Sequence, residues 1–267
     1  MTQNLDLIVI DAQAGDKTAL ESLVRGIQDR IHHLAMRMLV NPSDASEATQ
    51  EILILIVTKL STFKGESAFS TWAYRVASNY LLSARKIIAR DPGLSFEVFA
   101  ADLENGLTTD SEKAADELVL LNELRISCTM AMLLCLNLDH RMAYVLGDIL
   151  ELDHSEAAEI VGISKGNFRK RLSRARADVV AFTAQKCGLA NNKAKCSCPR
   201  RLSAAVTKGR VSEKNIIYAT NGAPEFTQVL ESVKLLEGQL KTLKLQMATP
   251  HFRSPKDFGK HISDLIH

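Results

Sequence analysis

Apolar residues recur three and four apart through residues 17–40: Leu20, Leu23, Val24, Ile27, Ile31, Leu34, Ala35 and Met38. At about 100° per residue these side chains share one face of a helix, whereas a period-two strand would scatter them over both faces. "NPSD" breaks the pattern. In "DASEATQEILILIVTKL" Asp44 stands three residues before Glu47, which predicts a capping box and a helix running on to Leu60. The β-branched "ILILIV" has strand propensity, but it follows a cap and no turn signal flanks it, so it reads as helix. "TFKGES" is a turn built on Gly65, and a further helix is expected over residues 69–89.

Residues 90–111 hold Asp-Pro-Gly, Asn-Gly and scattered acids, and read as a linker. A second helical block is expected over residues 112–184, then a basic, Cys-containing stretch to Arg210. Phe226, Val229, Val233, Leu236, Leu240, Leu243 and Met247 follow as a heptad stripe on one polar helix, either a docked lid or a self-pairing coiled coil. A short last helix is expected near residues 255–266. The fold class is therefore all-α: two helical domains joined by a flexible acidic linker, with a helical C-terminal extension. The boundaries expected are 12–90, 91–111 (linker), 112–184 and 185–267.

A net charge of +2 over 267 residues hides a strong segregation. Residues 97–123 carry eight acids and one base, and residues 186–214 carry eight bases and one acid. The N-terminus has no basic, apolar leader pattern, and the longest apolar run, "ILILIV", is six residues. No membrane span and a cytoplasmic location are expected, with the five cysteines mostly reduced. Cys128 and Cys135 sit in an apolar helical pattern and read as core thiols. No Walker loop, zincin motif or nucleophile elbow is present, so an enzyme is not expected. His32 and His33 lack metal spacing on a helix and read as surface residues.

"SKGNFRKRLSRAR", residues 164–176, has six bases and no acid. A one-sign cluster on so short a segment points to a polyanion. It lies in "HSEAAEIVGISKGNFRKRLSRAR", a short helix, Gly162 at a turn, and a second helix. Ala158 is small where crossing helices meet. On the second helix Phe168, Leu172, Ala175 and Val179 make an apolar stripe. Gly166, Lys170 and Ser173 take the opposite pole, flanked by Asn167, Arg169 and Arg174. This is the build of a recognition helix for the major groove, with Lys170 and Arg174 placed to reach base edges.

"STFKGESAFSTWAYRVASNYLLSARK" interleaves Phe63, Phe69, Trp72, Tyr74 and Tyr80 with Lys64, Arg75, Arg85 and Lys86. Five of fourteen aromatics fall within eighteen residues. Such interleaving suits stacking on unpaired bases, and equally a helix core. Trp72 and Tyr74 cannot share a helix face.

The order of these motifs resembles the two-domain bacterial sigma factors of the extracytoplasmic-function (ECF) type, over about residues 12–180. "DASEATQE" is similar to their D-A-E-D-L-V-Q-E, "FKGESAFSTWAYRVASN" to their F-R-G-E-S-x-F-x-T-W-L-Y-R-I-A-x-N, and "RKRLSRAR" to the end of their region 4. The resemblance implies a subunit that joins core RNA polymerase through the β′ clamp helices and the β flap, binds promoter DNA, and requires no cofactor. An anti-sigma protein is a further candidate partner. Asp44, Glu47, Gln50 and Glu51 match polymerase-binding positions. Phe63, Lys64, Ser67, Phe69, Trp72, Tyr74, Arg75 and Asn79 match positions that read the −10 single strand. Lys165, Asn167, Arg169, Lys170, Arg171, Ser173, Arg174 and Arg176 match positions on the −35 duplex. The rival function is a one-component helix-turn-helix regulator working without polymerase.

"KCGLANNKAKCSCPRRL" resembles the Cys-containing tail of one subset of these factors. Cys187, Cys196 and Cys198 offer three thiolates, and Zn²⁺ usually takes four ligands. His154, His251 or a partner's residue would supply the fourth. Zinc, a redox switch and plain reduced thiols all stay open. The neighbouring Lys186, Lys195, Arg200 and Arg201 are expected to lower the thiol pKa values.

Overall fold

The computed structural model describes residues 5–108, 117–219, 222–260 and 262. Helices follow one another along it: α1 (Leu5–Gln13), α2 (Lys17–Leu39), α3 (Pro42–Thr58), α4 (Phe69–Ser83), α5 (Arg85–Arg90), α6 (Phe96–Glu104), α7 (Leu118–Leu134), α8 (Leu138–Tyr144), α9 (His154–Ile160), α10 (Lys165–Lys186), α11 (Cys198–Thr207), α12 (Phe226–Lys234) and α13 (Gln239–Met247). A π-helical turn, Val145–Ile149, continues α8. Among the described residues the only β-type pairing is the isolated bridge Cys187–Cys196. The all-α expectation holds. Residues 112–116, where the sequence predicts the second block to begin, lie outside the described residues.

The chain divides into two compact units. The first holds α1–α5, α9, α10 as far as Arg169, and the stretch from Phe252 onward. Its core contains the whole α2 stripe, with Ile27, Ile31, Leu34, Ala35 and Met38 at 0% exposure. Ile52, Leu53 and Ile56 of "ILILIV" are buried at helical spacing on α3. Burying each such side chain contributes about 1.5–3 kcal/mol, which outweighs the strand propensity of the run. The cap differs from the expected one. Asn41 is the N-cap of α3 and accepts from the Asp44 N–H at 3.0 Å, with Pro42 in the first turn. Asp44 is thus free for other partners.

His32 and His33 are not surface residues: they are 5% and 6% exposed. His32 Nδ1 lies 3.0 Å from Thr49 Oγ1, and His33 Nδ1 accepts from the Phe252 N–H at 3.1 Å. The terminal stretch covers α2 here, where the sequence shows no signal for it. Ser254 N–H donates to Asp29, Phe258 N–H to Gln28, and Arg25 pairs with Asp257. Residues 258–260 are helical, but the rest of the expected last helix lies mostly outside the described residues.

Burial lowers the His32 pKa to about 4, against a weaker opposing pull from Asp29. The neutral ring is therefore the folded form. As pH falls below the ordinary value of about 6.5, the unfolded chain takes up a proton that the fold refuses. Stability is expected to drop between about pH 6.5 and about 4. His32→Gln should flatten that part of a Tm-against-pH curve. An unchanged slope would mean that other groups set the acid response.

The second unit holds α6–α8, the remainder of α10, and α11–α13. Its axis is α7, buried nearly all round, including the polar Asn122, Glu123 and Arg125. Each of these has a specific partner. The Glu123 carboxylate accepts from the N–H groups of Ile217, Tyr218 and Ala219 at 2.8–2.9 Å. Asn122 donates to Pro224 O and accepts from Arg125. Arg141, in "LNLDHR", donates to the carbonyls of Leu133, Leu134 and Leu136, which closes the C-terminus of α7.

Two expectations fail in this unit. The segment read as a linker contains α6, capped by Ser95 and anchored by the buried Phe99 and Leu103. Phe99 stacks on Phe182, with ring centroids 5.5 Å apart, so apolar burial overrides the acidic, turn-like composition. The heptad helix is also two helices. The chain breaks over residues 235–238, with Gly238 at φ +51°, a conformation that suits glycine. Val229, Val233, Leu245 and Ala248 then share one small core, while Leu240 and Met247 stay exposed.

Candidate nucleic-acid interface

In the first unit, α9 begins at Asp153, whose side chain accepts from the Ser155 N–H at 2.7 Å. It ends in a Schellman arrangement: Ile163 N–H donates to Ala158 O and Gly162 N–H to Glu159 O, with Gly162 at φ +68°. Ser164 then caps α10 by accepting from the Asn167 N–H. The helix-turn-helix follows directly from these local signals.

Along α10, Phe168, Leu172, Ala175 and Val179 are at most 2% exposed. Lys165, Asn167, Arg169, Lys170, Ser173 and Arg174 are all exposed, so over residues 165–174 the outward face is basic and polar. Two expected DNA contacts point elsewhere. Arg176 makes a two-pronged pair with Asp148, at 2.6 and 2.9 Å, and Arg171 pairs with Asp139 at 3.1 Å. Both arginines serve the second unit, because an acid stands within reach on a neighbouring element and the helix wheel cannot reveal it.

The aromatic block separates in the same way. Phe69 is 0% and Tyr74 8% exposed, so both are core, and burial pushes the Tyr74 phenol up to about 12. Phe63 and Trp72 are half-buried and pack with Phe69 in a ring cluster with centroids 5.6–5.7 Å apart. Lys64 and Asn79 are exposed and Ser67 partly so. Arg75 donates to Glu159 Oε1 at 2.7 Å, and Thr71 donates to Glu156 at 2.8 Å. Acids of α9 therefore occupy polar groups of α4.

Two positioning residues escaped the sequence reading. Gln13 donates to the carbonyls of Leu60 and Phe63, and Asp6 accepts from the Phe69 N–H at 2.6 Å. Together they hold the loop that carries Phe63 and the start of α4. They are isolated polar residues on α1, and nothing in their spacing marks them.

On α3, Asp44 and Glu47 each accept from Arg90 Nη1 at 2.8 Å. Gln50 is partly exposed and Glu51 exposed, one turn further on. The four proposed polymerase contacts thus lie together along the solvent side of α3, two of them bridged by a cation of the same chain.

The cysteines of the second unit form a larger set than the tail alone offers. Cys128 of α7 joins Cys187, Cys196 and Cys198 in lining one apolar cavity with Met132 and Phe182. His154 packs against Phe168, and neither it nor His251 lines that cavity. The basic neighbours do not win: Arg200 and Arg201 pull the Cys196 thiol down, but burial outweighs them. Burial pushes Cys196 to about 11 and Cys128 to about 12, and it raises Cys187 and Cys198 as well. As placed, no three His, Cys, Asp or Glu among the described residues form a ready metal-ligand group.

Among the described residues no helix is long and apolar enough to cross a membrane. Residues 23–87 match the family of Sigma-70 region 2, and residues 126–179 match Sigma-70, region 4. The ECF RNA polymerase sigma factor SigW of Bacillus subtilis is 32% identical over 166 residues, covering 61% of this chain and 87% of that protein. The ECF RNA polymerase sigma-E factor of Escherichia coli is 31% identical over 180 residues, covering 65% and 92%. Among solved structures, CnrH in complex with the cytosolic domain of CnrY gives a TM-score of 0.48 at 20% identity, over 66% of this chain and 95% of that one. Two separate region matches in the expected order, and relatives matched over most of their length, show that the chain belongs to the ECF family of RNA polymerase sigma factors.

Proposed function

We propose that this sigma factor joins core RNA polymerase through α3 and directs it to promoters by reading two DNA elements in two ways. The exposed face of α10, with Arg169, Lys170, Ser173 and Arg174, reads the −35 duplex in the major groove. The loop at Phe63 and the Trp72 edge of α4 meet an unpaired base of the −10 element. The observation that carries this reading is the one-sign exposed face of α10 over residues 165–176, above a buried apolar stripe. The protein is a specificity subunit without chemistry of its own and works in the cytoplasm, where core polymerase is. Arg75 reaches DNA by exchanging Glu159 for a phosphate, and Asp44 and Glu47 reach polymerase by exchanging Arg90 for its basic residues.

Run-off transcription with core polymerase, with and without this protein, is the test. Promoter-specific product only in its presence is expected. Tight promoter binding by the protein alone, with no activation of core enzyme, would instead favour a one-component regulator.

Trp72→Ala should impair promoter opening by about 1–3 kcal/mol while sparing closed-complex binding. Phe69→Ala should act through stability, because its ring is buried. Permanganate footprinting of the bubble separates the two. A normal bubble with Trp72→Ala would return the indole to a packing role.

A further inference from the structure

We infer that Cys128, Cys187, Cys196 and Cys198 are a four-thiolate site for a tetrahedral d¹⁰ metal ion, Zn²⁺ by chemistry, built between α7 and the turn that joins α10 to α11. The set is all sulfur, which selects soft and borderline metals.

The surroundings of the thiols point to negative charge at this place. Arg125 is 2% exposed, and its Nη1 has no hydrogen-bond partner. Its other nitrogens reach only Asn122, a neutral amide. A buried guanidinium without a counter-charge is costly. Arg125 therefore sits one turn from Cys128 on α7 as a cation waiting for an anion, and four thiolates around a divalent ion carry a net charge of −2.

The backbone is arranged for the same charge. Cys198 opens α11, where the helix N-terminus favours a negative group. Gly188 lets the turn close: a Cβ there would stand 2.6 Å from Cys196 O. The Cys187–Cys196 bridge and the Gly188 N–H to Cys196 O bond at 2.9 Å hold the two tail segments side by side.

The four sulfurs line the cavity but are not drawn together, so the ion gathers them by side-chain rotation. Each thiol gives its proton to solvent and a lone pair to the metal. Four protons leave per ion, and no electron is transferred. The tail is thereby tied to α7, the helix around which the second unit is built.

The test is titration of the reduced, metal-free full chain with Co²⁺ and Zn²⁺, followed by visible absorbance and proton release. One Co²⁺ per chain is expected, with the strong bands of a tetrahedral thiolate complex, displacement by Zn²⁺, and release of four protons. Cys128→Ala should weaken binding at least tenfold and change the Co²⁺ spectrum, whereas Cys135→Ala should leave both as they are. Arg125→Met should weaken binding with the spectrum retained, since it touches charge and not ligation. Circular dichroism of each variant separates ligand loss from unfolding. A wild-type chain that titrates as free thiols without metal uptake would overturn the inference. So would a Cys128→Ala chain with wild-type affinity and spectrum.

Discussion

Lys170→Ala combined with Arg174→Ala is expected to abolish transcription from this factor's own promoters while leaving polymerase binding intact. Each side chain is exposed on the outward face of α10, one turn apart, where a recognition helix would contact a base edge or its phosphate. A base-specific contact is worth about 1–3 kcal/mol, so the pair removes on the order of 2–5 kcal/mol, allowing for coupling between neighbours. Competition with core polymerase reports assembly, and run-off assays on promoter and mutated −35 duplex report recognition. The discrimination between those templates should collapse. Arg176→Ala is the informative companion. Its guanidinium is engaged by Asp148, so it should lower stability slightly and leave the salt dependence of DNA binding alone. If Arg176→Ala flattened the salt dependence and the pair did not affect discrimination, the groove assignment on α10 would be wrong.

Glu123→Ala is expected to destabilise the second unit by about 3–5 kcal/mol. The carboxylate is 2% exposed and satisfies three consecutive backbone N–H groups, those of Ile217, Tyr218 and Ala219. Removing it strands those donors in the interior, where each unsatisfied group costs about 1–3 kcal/mol, partly relieved by entering water. Whole domains have only about 5–15 kcal/mol in hand, so the loss is a large share. Far-UV circular dichroism in urea measures it. The single Trp72 lies in the other unit, so tryptophan fluorescence should report a largely unchanged transition there. Glu123→Gln keeps one acceptor oxygen and should fall between. A wild-type midpoint for Glu123→Ala would mean that the segment around Tyr218 finds other acceptors.

The helices that position the candidate DNA-contacting faces were legible because they are encoded locally. The stripe of α2, the Gly162 turn and the Phe168–Leu172–Ala175–Val179 stripe each arise from spacing within one element, and all are buried as that spacing requires. The two missed breaks were legible only in part. Gly238 could have signalled the end of α12, and Phe96, Phe99 and Leu103 could have signalled α6. Both signals are short, and an acidic composition and a long heptad stripe outweighed them. His32 and His33 were misplaced because no local pattern shows that the chain's own end, more than two hundred residues later, covers α2.

Sequence alone determined the all-α class and the polarity of α10, since helical periodicity, capping and charge sign are properties of neighbours along the chain, while the order of the two sigma regions came from the resemblance of their motifs to the ECF family. Tertiary structure decided which of the candidate side chains are free to act. Phe69 and Tyr74 went to the core, and Arg171 and Arg176 went to Asp139 and Asp148. Cys128 came to the same cavity as Cys196 and Cys198 although it is far from them in sequence. The physical reason is common to all of these. A side chain's protonation, pairing and exposure depend on what other elements bring within a few ångströms, and that proximity is created by packing, not by spacing along one helix.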